Sequence, residues 1–389
     1  MTRPSQRIQS IDLLRGWAVI VMVETHVLNA TLLQSLWSGA VFPVLTFMNG
    51  LVAPAFLFAS GMAYAVTTRR KLKDYLVCGP ALFRQVGRLL SILAIGYLLH
   101  IPRFNFHHLL YEVGAEAWVN FFQVDVLHCI AVTLLFLQVM LSVFRTEERT
   151  YRAAAIVAVL VALATPLVWN VDWATALPLP LAAYLNSMHG SLFPLFPWSV
   201  FLLAGAVAGH LLNRARDRQA EAEAGDATDR FRSLLGWGAL AAVLVSFAME
   251  PVAACLYPAY DYWKTSPSFV LFRLGLVMAL TVVMFVYEKH RGVSSGSVVA
   301  LFGRESLIVY VTHLVLIYGK FGSFCFAERV RGSFDYGEAL IATSTLLLLM
   351  YVLAFAWSRV KRGSPRIRYA LEFAVLAVFL VIFFADPFS

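Results

Sequence analysis

The chain has 389 residues, of which 60% are hydrophobic and only 14% charged. A soluble domain carries roughly 25% charged residues, so folding alone cannot hide this much apolar surface, and lipid is the solvent for much of the chain. The formal net charge of +8 excludes nucleic acid as the expected partner, because the basic residues sit at the ends of apolar segments instead of on one patch.

The opening residues MTRPSQRIQS are polar. The apolar run after them is too long for a signal-peptide core and shows no cleavage site, so it reads as a retained helix. Eleven apolar stretches are long enough to span a bilayer: 11–32, 41–68, 82–102, 125–144, 153–170, 196–213, 233–254, 269–288, 297–319, 337–358 and 369–386. They are runs of Leu, Ala and Val without the alternation of a membrane barrel. The expected fold class is an all-α polytopic transmembrane bundle. With the N-terminus in the cytoplasm, only Arg103, Lys264, Lys320, Arg329 and Arg331 fall outside. Arg15, Arg273 and Arg304 lie within spans, and every other basic residue falls inside, as the positive-inside rule requires. The charged stretch 214–232 reads as a cytoplasmic linker within a single transmembrane domain, 1–389, between a six-helix part (about 11–213) and a five-helix part (about 233–386). No internal repeat supports an inverted-repeat transporter. Segments 103–124 and 171–195 are rich in aromatics, Pro, Asn and His. They read equally as an interfacial belt and as a roof over an outward-facing site. Four scattered cysteines without a CxxC pair imply neither zinc nor a disulfide scaffold.

Ionisable residues inside spans are costly, so each needs a partner or a task. In the first span Arg15 and His26 are eleven residues apart. That spacing returns them to within about 20° on one helix face, roughly 16 Å apart along the axis. Glu24 points nearly the opposite way. A cation near the cytoplasmic surface and an imidazole in the outer half suit a ligand that is anionic at one end and reactive at the other, as coenzyme A is. Arg15 reads alternatively as a snorkelling residue paired with Asp12, and His26 as a histidine bonded between helices. In the ninth span Ser306, Tyr310 and His313 share a face, either as a polar seam or with His313 flanking the same cavity as His26. Asp125 and His128 open the fourth span three residues apart, either as a carboxylate orienting an imidazole or as a charged first turn. Arg84 and Arg88, one turn apart, are membrane anchors or phosphate clamps. Arg273 is expected to balance Glu250 or Asp261. His100, His107, His108 and His189 lack metal-ligand spacing, and no metal is expected.

These residues carry a family resemblance. SIDLLRGWAVIVMVETH resembles the opening helix of membrane-embedded acyltransferases, and Arg15 and His26 match the Arg-x10-His pattern of the bacterial polysaccharide O-acyltransferases. The wider set, SIDLLRG, APAFLFASGMAYA, QVDVLHCIA, FPLFPWSVFLLAGAVAG and LFGRESLIVYVTHLVL, is closer to the bacterial relatives of heparan-alpha-glucosaminide N-acetyltransferase. Together these motifs cover nearly the whole chain, in order. The resemblance implies that acyl-CoA, in particular acetyl-CoA, donates from the cytoplasm to a sugar or glycan on the far side. Arg15 would contact the donor, with Arg84 and Arg88 as further candidates, and His26 would be catalytic, with Asp125 and His313 at recurring positions. His128, Tyr310 and Ser306 are the candidate substrate contacts. The chain departs from the heparan branch in having no histidine at 33–40, where that branch places a catalytic one, and in lacking the large N-terminal region of the animal enzyme. The expected setting is a bacterial inner membrane, and a homodimer is left open. Two other classes remain at this level. A proton-coupled transporter or flippase for a lipid-linked sugar or small anion would use the same buried groups, and a non-catalytic sensor would show no affinity for CoA.

Overall fold

A computed structural model describes residues 7–102, 106–111, 114–222, 227–257, 259–319 and 325–385. The described residues are helical and contain no strand, with one isolated bridge joining Leu32 to Phe334. The main helices are α1 (Gln9–Thr31), α2 (Val41–Asn49), α3 (Val52–Arg70), α4 (Pro80–Leu99), α5 (Val126–Phe144), α6 (Glu147–Trp169), α7 (Leu195–Ala222), α8 (Ala227–Leu256), α9 (Pro267–Arg291), α10 (Val298–Arg304), α11 (Ser306–Tyr318), α12 (Tyr336–Arg362) and α13 (Pro365–Ala385).

Local chemistry sets their ends. Pro80 and Pro267 open α4 and α9, where a missing N–H costs nothing. Asp335 and Glu338 form a reciprocal capping box at α12, which satisfies donors that the helix start leaves free. Gly292, at φ 66°, closes α9 in a conformation that a side chain would resist. On both sides of the charged stretch 214–232 the backbone stays helical, to Ala222 and from Ala227.

All eleven apolar stretches reappear as helix. Nine helices among the described residues are long and apolar enough to cross a membrane. α1, with 23 residues, is about 35 Å long but carries Asp12, Arg15 and Glu24. The ninth stretch, expected as a span, is broken into two helices. α10 and α11 meet at an angle of 88°. Glu305 at the break has non-helical φ/ψ, is buried, and is drawn to Lys361 Nζ at 2.5 Å. With seven and 13 residues, the two half-helices are about 10 and 20 Å long. Neither alone crosses a hydrocarbon core of about 30 Å.

The chain divides into two compact units, one of Met1–Val52, Ile101–Trp118 and Val293–Ser389, the other of Ala53–His100 and Val119–Gly292. In the first unit α10 lies against the start of α1 so closely that a Cβ on Gly16 would fall 1.8 Å from the Val299 carbonyl oxygen. A Cβ on Gly303 would fall 1.9 Å from that of Asp12. The end of α12 reaches the same place through Lys361 and Glu305. At the opposite end Leu33 N–H donates to Phe334 at 2.9 Å, and Leu28 and Leu32 pack on Ala339 near the start of α12. α1 and α11 therefore run parallel and α12 runs antiparallel to both.

In the second unit Gly61 and Gly205 make an equivalent crossing between α3 and α7. One end is tied by ion pairs, with Arg69 bridging Glu147 at 2.7 Å and Asp217 at 2.6 Å, and Arg214 holding Glu148 at 3.0 Å. An apolar cavity of about 470 Å³ runs between α3, α6, α7, α8 and α9. Arg273 departs from expectation. Glu250 is taken by the Tyr260 hydroxyl at 2.6 Å and the Ser266 hydroxyl at 3.0 Å, and Asp261 lies 3.7 Å from Lys264. The Arg273 guanidinium instead sits 4.1 Å from the centre of the Phe269 ring, a cation–π contact that needs no carboxylate. The carboxylate beside Tyr260 pushes its phenol up to about 12. His189 Nε2 lies 2.8 Å from Asp172 Oδ1 and holds that carboxyl below its ordinary range. All four cysteines are free, and the described residues contain no cluster able to hold a metal ion.

Candidate functional site

α1 owes its place in the first unit to its small and aliphatic residues. Gly16, Ala18, Val19, Val23 and Val27 are buried, so the helix is packed over most of its length despite its charges. That packing fixes the side chains between them. Asp12 accepts no hydrogen bond from Arg15, though its charge lies close enough to act on Arg15. Arg7 clamps Asp12 with two bonds, Nε to Oδ2 at 2.5 Å and Nη2 to Oδ1 at 2.9 Å. Arg15 Nε is buried without a hydrogen-bond partner. Arg7 thus takes the hydrogen bonds of Asp12, whose charge still acts on Arg15, and Arg15 Nε keeps a donor for a ligand.

Near the other end of α1, His26 meets His313 of α11. Their rings stack 5.1 Å apart at 19°, and His26 Nδ1 lies 2.8 Å from His313 Nε2. His313 is fully buried, and its Nδ1 lies 2.8 Å from the carbonyl oxygen of Val309, one turn back. A carbonyl only accepts, so in the neutral pair His313 Nδ1 carries a proton and His313 Nε2 is an acceptor. His26 Nδ1 must then donate, which leaves the lone pair of His26 on Nε2. Two hydrogen bonds in series fix the tautomer, as a carboxylate or carbonyl does behind many working imidazoles. Tyr318 flanks the pair, its hydroxyl donating to the His26 carbonyl at 3.2 Å and its ring edge-on to His26 at 5.9 Å. The Tyr310 ring lies 5.7 Å from His313, and Ser306 is buried at the start of α11. Beside Glu24 on α1, the Asn49 side-chain amide meets Glu24 Oε2 and Thr25 Oγ1, and with its nitrogen turned toward them it donates to both, at 2.9 and 3.2 Å. A half-buried carboxylate is thereby supplied with donors, as burial in lipid demands.

Asp125 and His128 belong to the second unit and act on the start of α5. The Asp125 carboxylate accepts from Val126 N–H at 2.5 Å and from the His128 amide, and His128 Nδ1 accepts from Asp125 N–H at 3.1 Å. The two side chains form a capping box, so the carboxylate faces backbone donors and the imidazole Nδ1 accepts a backbone N–H. Arg84 and Arg88 are exposed on the first turns of α4. Of the candidates, the first unit brings together His26, His313 and Tyr310, while Asp125, His128, Arg84 and Arg88 lie in the second. Sequence reading passed over Tyr318 and Asn49, because Tyr318 falls off the face shared by Ser306, Tyr310 and His313, and Asn49 lies on another helix with no periodic link to Glu24.

Residues 7–246 match the family model described as heparan-alpha-glucosaminide N-acetyltransferase, catalytic. The match holds Arg15, His26, Arg84, Arg88, Asp125 and His128, and ends before His313. No curated protein matches the chain.

Proposed function

The chain belongs to the heparan-alpha-glucosaminide N-acetyltransferase catalytic family, which makes it a multi-pass membrane acetyltransferase, and on that premise we propose that it carries an acetyl group across the bilayer from cytoplasmic acetyl-CoA to a sugar. The observation that carries the reading is the His26–His313 bond at 2.8 Å, which leaves His26 Nε2 as a base near one end of α1 while Arg15 holds an unspent donor near the other. The Arg15 end gathers Arg7, Arg359, Lys361 and Arg362, which supports placing it at the cytoplasm.

In this reading Arg15 binds donor phosphate, and the pantetheine arm extends toward His26. His26 Nε2 takes the proton of the acceptor hydroxyl or amine as its oxygen or nitrogen attacks the thioester carbonyl. The new C–O or C–N bond forms, the C–S bond breaks, and the proton passes from His26 to the departing thiolate, so the base returns unchanged. Seclusion from bulk water keeps the thioester from hydrolysis.

The donor half of the reading has a direct test. Acetyl-CoA at about a hundredfold over its Kd stabilises a protein by about 2.7 kcal/mol, so purified protein is expected to melt several degrees higher with it. Arg15→Ala is expected to lose that shift while melting normally without ligand. A full acetyl-CoA shift in Arg15→Ala overturns the role of Arg15, and no shift with any acyl-CoA in the wild type overturns the donor.

A further inference from the structure

The cavity of the second unit owes its space to small residues. Ala155, Ala158 and Ala162 share one face of α6, and Ala204 and Ala208 stand one turn apart on α7. They leave about 470 Å³ between the helices, and every residue around it is apolar. A cavity of roughly 150 Å³ admits a benzene ring, so three times that volume holds on the order of eighteen carbons. Water gains no hydrogen bonds there, and an empty space forfeits the dispersion contacts of its walls. The cavity opens sideways. Val159 of α6 and Leu234 of α8 line it and are 58% and 55% exposed, so the opening of this membrane-spanning chain meets hydrocarbon.

The two ends of the groove differ. At one, the Tyr257 hydroxyl just past α8 donates to the Leu163 carbonyl of α6 at 2.7 Å, and the Asn170 amide donates to the Ala259 carbonyl at 2.9 Å. These bonds tie α6 to the end of α8. At the other end, arginines stand one turn beyond the lining: Arg152 before Ala155, Arg214 after Leu211, Arg230 before Leu234 and Arg232 before Leu235. Glu148 meets Arg152 at 3.2 Å and Arg214 at 3.0 Å, and Asp229 meets Lys289 and Arg232. Positive charge remains in excess. The stretches 145–152, 214–218, 229–232 and 288–291 hold ten Lys and Arg against five Asp and Glu. Arg230 is exposed, and Arg232 Nη1 is buried without a hydrogen-bond partner.

An apolar slot with a cationic rim at one end selects an amphiphile with one anionic end. A water-soluble anion gains nothing from the slot, and a lipid without net charge gains nothing from the excess of arginine. We propose that this groove binds an anionic phospholipid, with one acyl chain lying between α6, α7 and α8 and the phosphate among Arg152, Arg214, Arg230 and Arg232. The guanidinium fork suits phosphate oxygens, and the positive-inside rule puts the rim at the cytoplasmic leaflet. Every residue of the groove belongs to the second unit, and the site does not depend on the acetyl-transfer chemistry.

The test places the full chain in phosphatidylcholine vesicles that contain phosphatidylglycerol with a diazirine at the end of one acyl chain. After irradiation, peptide mapping reads which helices carry the lipid. Label is expected to concentrate on the lining residues of α6, α7, α8 and α9, well above the level on α13, which is unburied along its length. The same probe with a choline headgroup is expected to label the groove about tenfold less, because each basic residue at the surface adds attraction for anionic lipid. Ala204→Phe fills the floor of the groove and is expected to bring its label down to the α13 level. Arg152→Gln combined with Arg230→Gln changes only exposed side chains, so the fold stands. It is expected to erase the preference for the glycerol headgroup while the groove still takes label. Wild-type label no higher in the groove than on α13 overturns the site, and equal labelling by the two headgroups overturns the anionic lipid.

Discussion

Replacing His26 by alanine is expected to lower acetyl transfer by about a thousandfold while the melting shift with acetyl-CoA survives. The residue is half-buried, and its side chain makes one hydrogen bond, to His313, so its loss leaves the fold of α1 to the buried Val and Ala residues around it. His313 acts on the reaction only through His26, which gives it a different signature. His313→Leu removes the acceptor that fixes the His26 tautomer, and kcat is expected to drop by about a hundredfold with KM for the donor unchanged. His313→Gln restores a carbonyl acceptor and is expected to recover part of that loss. A purely structural His313 predicts instead that both variants track melting temperature. Near-normal turnover of a folded His26→Ala protein removes the base from the mechanism.

The parts of this site that sequence reveals are those written in helical periodicity. Arg15 and His26 lie on one face of α1 because eleven residues make close to three whole turns. His313 meets His26 because α11 runs parallel to α1, away from the close crossing of α1 with α10. What sequence hides is direction within a residue's reach. Asp12 is nearer in sequence to Arg15 than to Arg7, yet Arg7 at the helix entry folds back and takes both oxygens. Asp125 and His128 have the spacing of a carboxylate–imidazole pair, yet the free N–H groups of a helix start compete for both side chains and win. The bend at Glu305 is marked in sequence only by the short run Gly303, Arg304, Glu305, Ser306, and the partner of the carboxylate at the break, Lys361, is 56 residues away. That His128 Nε2 is left buried without a partner is likewise hidden in the sequence, since it depends on the backbone having already claimed Nδ1.

Gly303→Ala is expected to lower the melting temperature by on the order of 5 °C, against a small rise for Gly236→Ala. In a helix alanine is favoured over glycine by up to about 1 kcal/mol, so both changes gain the same local term. They differ in what the new methyl meets. At Gly236 there is nothing within 4 Å. At Gly303 the methyl lands 1.9 Å from the carbonyl oxygen of Asp12, and at Gly16 it lands 1.8 Å from that of Val299. Backbone stands on both sides, no flexible side chain can yield, and overpacking of this kind costs about 1–3 kcal/mol or more. Helices in lipid gain little from hydrophobic burial against each other, so close backbone approach supplies much of their attraction. Pushing α10 off α1 removes that contact beside Arg15, and the melting shift with acetyl-CoA is expected to shrink along with stability. Gly61→Ala, 2.0 Å from the Leu202 carbonyl in the second unit, is expected to destabilise to a similar degree and to leave the acetyl-CoA shift in place. If Gly303→Ala and Gly236→Ala melt alike, the close crossing of α1 and α10 is wrong, and the placement of Arg15 that depends on it is wrong as well.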